Sequence, residues 1–486
     1  MQLGKQPLDK LYAGLIEPIL YRMRRYHYDS LLDALLKRLN QPQTSNGLIN
    51  DLQRLPWVVE RLLILLLADK RSQYRYCFNG EIDDHSLDGV IFNANQSVSS
   101  LYKYDIKIQT TSLFMRQAFL SQIPYQKNLD THDFVLQLYF IAKLDLRSNL
   151  LKYLNKRAGM PVELYFQMAL LFWTYTSTDA PWFNKSYIDS MLHIFPENEL
   201  NVFLNSITSS VQDLNKKLSE RTIELDEWFQ PVIFYKTPCI LFENTITPFG
   251  RPTLRRYFEN LIGDWLEEEN GKCLRDYDAL IHDYVQDGLV RCQVDFLGES
   301  DINKLTNSKD RVCDYLIDEH DGFILVEVKN KSLTKKIPSS SHPVPITSKL
   351  DKTVVSGISQ LDITFSRVSK LPRFKNRHYH RIIVTKNDLW LGNIDAFSSN
   401  LNDVDPIWLL TLSDMDHLVE LVREKRATFC SFFEDLSARR KVPSESVFTA
   451  SMLLEKHPYK FEQLPSHLLA EADKVIDVLK ERISIN

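Results

Sequence analysis

Cysteine is sparse and scattered in this chain. Six residues of 486, at 77, 239, 273, 292, 313 and 430, form no Cys-x-x-Cys pair and no zinc-ligand spacing. That excludes a zinc ribbon and a disulfide-stapled scaffold, and reads as reduced, buried thiols. Long apolar runs are lacking too. The longest, Leu62 to Ala68, is too short to span a bilayer and reads as a buried helix, so no membrane partner is expected. A charge of one sign is also missing, since the net charge is −4, and any case for an anionic polymer must rest on local distribution. Gly263 and the pair Gly271 and Lys272 lack the spacing of a phosphate-cradling loop, which excludes a nucleotide-driven motor. The first residues run into helix-like sequence without the apolar stretch of a secretory leader, so a cytoplasmic chain is expected.

What is present is ordinary for a globular protein, 44% hydrophobic and 25% charged residues, except at 311–331. Two runs of β-favouring residues, Val312 to Ile317 and Phe323 to Val328, flank the turn-forming cluster Asp318 to Gly322, which predicts a β-hairpin. Side chains alternate along a strand, so Glu327 and Lys329 share one face while Val326 and Val328 enter a core. A hairpin centred between His320 and Asp321 sets Asp314 directly across from Glu327. Two facing carboxylates repel unless something compensates them. A divalent cation does so, and Mg²⁺ (or Mn²⁺) takes one or two carboxylates and leaves its other positions to water and phosphate. Asp314, Glu327 and the Val328 carbonyl form such a half-shell, and Lys329 is placed to orient or deprotonate an attacking water or to steady charge on phosphate. The competing reading of the same residues is a structural ion pair between Lys329 and its acidic neighbours.

Asp314 followed by Glu327-x-Lys329 at the end of an apolar strand resembles the signature of the PD-(D/E)xK nuclease superfamily, with Cys313 where the motif's proline stands. The resemblance spans roughly 225–400. It implies an α/β restriction-endonuclease-like core, a mixed central sheet flanked by helices, and Mg²⁺-dependent endonucleolytic hydrolysis of DNA, with RNA the less favoured substrate. Family members often carry a Glu on the helix before the sheet and a Gln on the helix after the hairpin. The apolar period through 254, 257, 258, 261, 262, 265 and 266 predicts one helix with Glu259 beside its stripe, and the resemblance implies Glu259 as an accessory metal ligand, the alternative being an ordinary solvent-facing helix Glu. Gln360 occupies the later helix as a site-facing amide. The stretch 236–252 is similar to the lead-in of some bacterial defence-type members.

Between Lys331 and Arg381 eleven Lys or Arg stand against two acids, Asp351 and Asp362. Lys331, Lys335, Lys336, Arg367, Lys370, Arg373, Lys375 and Arg377 are therefore expected to contact a phosphate backbone. His378 and His380 are read as part of this basic surface, although a metal-independent hydrolase built on them is the alternative chemistry. Tyr21 to Tyr28 interleaves three Arg with aromatics, either as a stacking surface or, the preferred reading, as an amphipathic helix with inward tyrosines. Three regions are expected: a helical N-terminal domain over 1–222, a nuclease-like domain over 223–400, and a strand plus helices over 401–486 packing on that core. The helical domain is read as a sensor of a partner protein, a phage component or a nucleic-acid feature, with anti-phage defence a natural setting. A homo-oligomer is compatible with this organisation. The opposing function class is a catalytically silent scaffold that keeps the nuclease fold.

Overall fold

The computed structural model describes residues 5–41, 55–74, 80–99, 131–176, 182–220, 234, 236–267, 272–307, 311–330, 354–387, 407–445, 449–461 and 463–485. The chain is mixed α/β and divides into two compact units, Met1–Trp265 together with Glu471–Asn486, and Leu266–Ala470. No described helix is long and apolar enough to cross a membrane.

The first unit is mainly helical. Pro56–Ala68, entered by a proline in its first turn, carries the apolar run from Leu62 and is buried from Val58 to Leu67, packed with the helices Lys5–Met23, Tyr28–Leu39 and Asp84–Ser99. Within the Tyr21 to Tyr28 segment, Tyr26 and Tyr28 are buried and Tyr21 is exposed. Arg24 grips both oxygens of Asp69 at 2.6 and 3.0 Å, and the segment is not the single amphipathic helix expected, since Lys5–Met23 ends inside it and Tyr28–Leu39 begins at its last residue. The small sheet β1 (Thr208–Ser210), β2 (Cys239–Phe242) and β3 (Thr245–Pro248) belongs here. Glu243 and Asn244, both at positive φ, form the two-residue turn that joins β2 to β3.

The division falls at Trp265 and not near 222. The reason lies in polar contacts that sew 239–265 to the N-terminal helices. Asn40 donates to the Pro248 carbonyl (2.7 Å), Thr253 to buried Glu60 (2.8 Å), and Gln137 to the Phe258 and Glu259 carbonyls (both 2.8 Å).

The second unit is built on a five-stranded sheet, β4 (Phe296–Gly298), β5 (Tyr315–Glu319), β6 (Gly322–Lys329), β7 (His378–Thr385) and β8 (Ile407–Thr411), paired in that order. The first three strands are mutually antiparallel, and β7 and β8 continue parallel to β6. Gly322 through Val328 are buried, as a central strand covered on both faces requires. The Lys272–Arg291 helix precedes the sheet and the Ser356–Val368 helix joins β6 to β7.

The hairpin is the one expected. Tyr315 pairs with Val326 and Glu319 with Gly322, leaving His320 and Asp321 as a two-residue turn. Gly322 serves close approach and not turn conformation. A Cβ there would lie 2.8 Å from the His378 carbonyl oxygen and 3.0 Å from Cys430 Sγ.

Candidate active site

Asp314 stands just before β5, and extending the ladder by one pair places it opposite Glu327. Its position is set from two sides. Asp314 Oδ2 accepts the Val328 N–H at 2.7 Å, taking the place of the strand partner that β5 does not supply there. Its neighbour Cys313 donates its N–H to Thr364 Oγ1 at 2.8 Å, and the Thr364 hydroxyl donates to the Gln360 carbonyl at 2.7 Å. Asp314 Oδ1 faces His282 Nδ1 at 3.6 Å.

Glu327 is almost wholly buried, at 1% exposure. Its Oε1 accepts from the Lys329 ammonium, while Oε2 is buried with no hydrogen-bond partner among the described residues. An unsatisfied buried carboxylate oxygen is costly, and its cost appears as proton affinity. Burial first, and the Asp314 charge second, push the Glu327 carboxyl far above the usual carboxylate range, against the opposing pull of Lys329. Burial also raises Asp314, opposed by His282, the Val328 N–H and Lys329. Two carboxyls raised together behave as a pair that shares protons.

Lys329 Nζ also donates to Gln360 Oε1 at 2.9 Å, and Gln360 Nε2 donates to the Val312 carbonyl at 3.3 Å. Gln360 and Thr364, one turn apart, thus hold both the ammonium and the backbone leading to Asp314. The helix comes this close because residue 357 is glycine. A Cβ on Gly357 would meet Glu327 Cγ and Ile383 Cδ1 at 3.3 Å and Lys329 Cε at 3.4 Å. Gly357→Val is expected to cost about 1–3 kcal/mol by overpacking and to part Gln360 from Lys329. Urea unfolding of the variant checks this, and an unchanged midpoint would count against the packing described.

Asp314, Glu327, Lys329 and Gln360 are therefore brought together within the second unit. The helix read as continuous breaks at Asn260 into Arg251–Glu259 and Leu261–Glu267. Glu259 lies in the first unit, 2% exposed, its Oε2 accepting from Arg256 at 3.0 Å. The helix that leads into the sheet is Lys272–Arg291, which contributes two residues not anticipated. Asp278 binds the Asn330 amide beside Lys329, and His282 faces Asp314, its carbonyl accepting the Tyr315 hydroxyl at 2.9 Å. Their four-residue spacing puts both on one helix face, the only signal of them in the sequence.

The basic stretch is divided. Arg377 donates to Asp318 at 2.7 Å and to the Gly322 and Glu319 carbonyls, and Arg373 pairs with Asp318. Both thus engage the hairpin turn, roughly 23 Å along β6 from Lys329 at 3.3 Å per residue. Lys370 and Lys375 are exposed and Arg367 is half-buried. Lys331, Lys335 and Lys336 lie outside the described residues. His380 packs its ring 5.6 Å from Phe433.

The donor set suits a hard divalent cation. It offers two oxygen ligands, one an orphaned buried atom, beside a cation already drawn to the same charge. Among the described residues no group of three or more His, Cys, Asp or Glu side chains is placed to hold a metal. Cys313 is buried, and burial pushes its thiol up, which makes it inert as a nucleophile. Compared with protein-family models, curated proteins and solved structures, the chain matches none.

Proposed function

We propose that the second unit is a Mg²⁺-dependent nuclease of the restriction-endonuclease-like type, hydrolysing phosphodiester bonds of DNA. The observation that carries this reading is the buried, unpartnered Glu327 Oε2 set opposite Asp314 with Lys329 alongside. An arrangement kept only for stability would be expected to satisfy or discard that oxygen. The order of helix, antiparallel hairpin, helix and further strand is also the order the family resemblance implies. Asp314 and Glu327, with the Val328 carbonyl, would hold the metal, which supplies a lowered water pKa and charge for the phosphoryl oxygen. Lys329, oriented by Gln360, positions the attacking water or steadies the developing phosphate charge. Lys370 and Lys375 are suited to the backbone farther along. The first unit would sense a protein or nucleic-acid signal, with phage defence as one setting.

A second reading rests on the Lys329–Glu327 ion pair, which on its own suits a silent scaffold. The discriminating experiment incubates the full-length protein with supercoiled, linear and single-stranded DNA and with RNA, with Mg²⁺ or Mn²⁺ and with EDTA. Metal-dependent cleavage of DNA is expected. No cleavage of any substrate in either metal would favour the scaffold.

A further inference from the structure

Lys386 follows β7 immediately, one residue past the Lys329–Thr385 pair, and is 6% exposed. Its ammonium lies 5.0 Å from the centroid of the Tyr277 ring and has no hydrogen-bond partner among the described residues. Tyr277 belongs to the Lys272–Arg291 helix, whereas Lys329 and Glu327 touch the Ser356–Val368 helix. Adjacent parallel strands therefore end in two lysines, one toward each covering helix. Of the two acids flanking Tyr277 in sequence, Asp276 and Asp278, the second is engaged by the Asn330 amide.

An ammonium enclosed without an acceptor is unfavourable, and a ring face offsets only part of that. Such a group persists where an anion is received, and the carboxyl ends of parallel strands are where α/β sheets receive ligands. The geometry points to Lys386 as an anion-binding residue that takes a phosphate group beside the Asp314–Glu327 site. In the free protein the ammonium is stored against Tyr277. On binding, its flexible four-carbon stem carries it to the phosphate. Identifying that phosphate as one of a nucleic-acid backbone rests on the nuclease reading, but the anion site itself does not.

The test uses the full-length protein in phosphate-free buffer with EDTA, so that nothing is hydrolysed. Wild type, Lys386→Met and Lys386→Arg are melted alone and with inorganic phosphate, pyrophosphate or a short DNA duplex. Lys386→Met is expected to melt about 2–4 °C above wild type when alone, the shift that follows from losing a modest unfavourable burial. Pyrophosphate should raise the midpoint of wild type and Lys386→Arg but not of Lys386→Met, and duplex should raise that of Lys386→Met by less than that of wild type. For duplex affinity, the slope of log K against log salt should be shallower in Lys386→Met by about 0.9, one phosphate contact. A Met variant that melts lower than wild type, and keeps both the pyrophosphate response and the salt slope, would reduce Lys386 to a structural partner of Tyr277 and overturn the site. A pyrophosphate response that depends on Lys386 with an unaltered salt slope would overturn the backbone assignment in favour of a free phosphate. Should Lys386→Met not fold, Lys386→Gln replaces it in each arm. None of these arms holds a divalent metal, so a cleavage result that sinks the nuclease reading leaves them untouched.

Discussion

Lys329→Ala is expected to lower Mg²⁺-dependent cleavage of supercoiled plasmid roughly 10²–10⁴-fold, the usual contribution of a positioned proton-transfer or charge-stabilising group. The same change should alter stability in a way that depends on pH. Removing the ammonium deprives buried Glu327 of its only side-chain partner among the described residues, and breaking a buried pair on one side costs about 3–5 kcal/mol while the other charge remains. Glu327 can escape that cost by protonating, since burial and Asp314 already favour its neutral form. The variant should accordingly sit close to wild type in urea at pH 6 and fall well below it at pH 8.5. Cleavage by Lys329→Ala at the wild-type rate would remove the amine from the reaction.

Glu327→Gln is expected to abolish the response to Mg²⁺ and to flatten the pH dependence of stability. In the wild type the Glu327 carboxyl moves from an ordinary 4.5 to about 8 on folding. Folding therefore binds a proton between those values. Its stabilising contribution is complete below pH 4.5 and is lost as pH rises through about 8. The groups facing it are Asp314, raised in the same direction, and Lys329, which opposes the rise. Metal-free wild type should lose on the order of a few kcal/mol between pH 5 and 8.5 from this pair. Mg²⁺ should restore most of it at the alkaline end, where both carboxylates are free to bind. The amide introduced by Glu327→Gln carries no charge, so neither trend should remain. Thermal melts across pH, with and without Mg²⁺, read both, and a Glu327→Gln protein that still gains stability from Mg²⁺ would place the metal elsewhere.

The hairpin was legible in the sequence because its information is local. Two apolar runs and a polar turn fix the pairing, and the two-residue period then fixes the face of Glu327, Lys329 and, by symmetry, Asp314. Gln360 was legible through the resemblance, whereas Thr364 one turn on emerged only from the folded chain. The helix carrying Glu259 was read too long for a physical reason: apolar periodicity continues through Asn260 even though the helix does not. Charge counts likewise did not show that Arg373 and Arg377 engage the hairpin turn. A run of guanidinium groups looks the same whether it awaits phosphate or is engaged by Asp318 and the turn carbonyls. His282 and Asp278 depend on contacts across some thirty to fifty residues, which only the folded chain displays.

The grip of Arg377 on the hairpin turn has a consequence for the opposite end of β6. A one-residue slip of β6 against β5 would turn Glu327 and Lys329 to the far face and bring Val328 into their place. Arg377 holds Asp318, Glu319 and Gly322 at once, and Glu319 in turn accepts the backbone N–H groups of Phe429 and Cys430 at 3.0 and 2.8 Å. The turn is thereby indexed to the rest of the second unit, and the alignment of the carboxylates is decided by residues that never approach them.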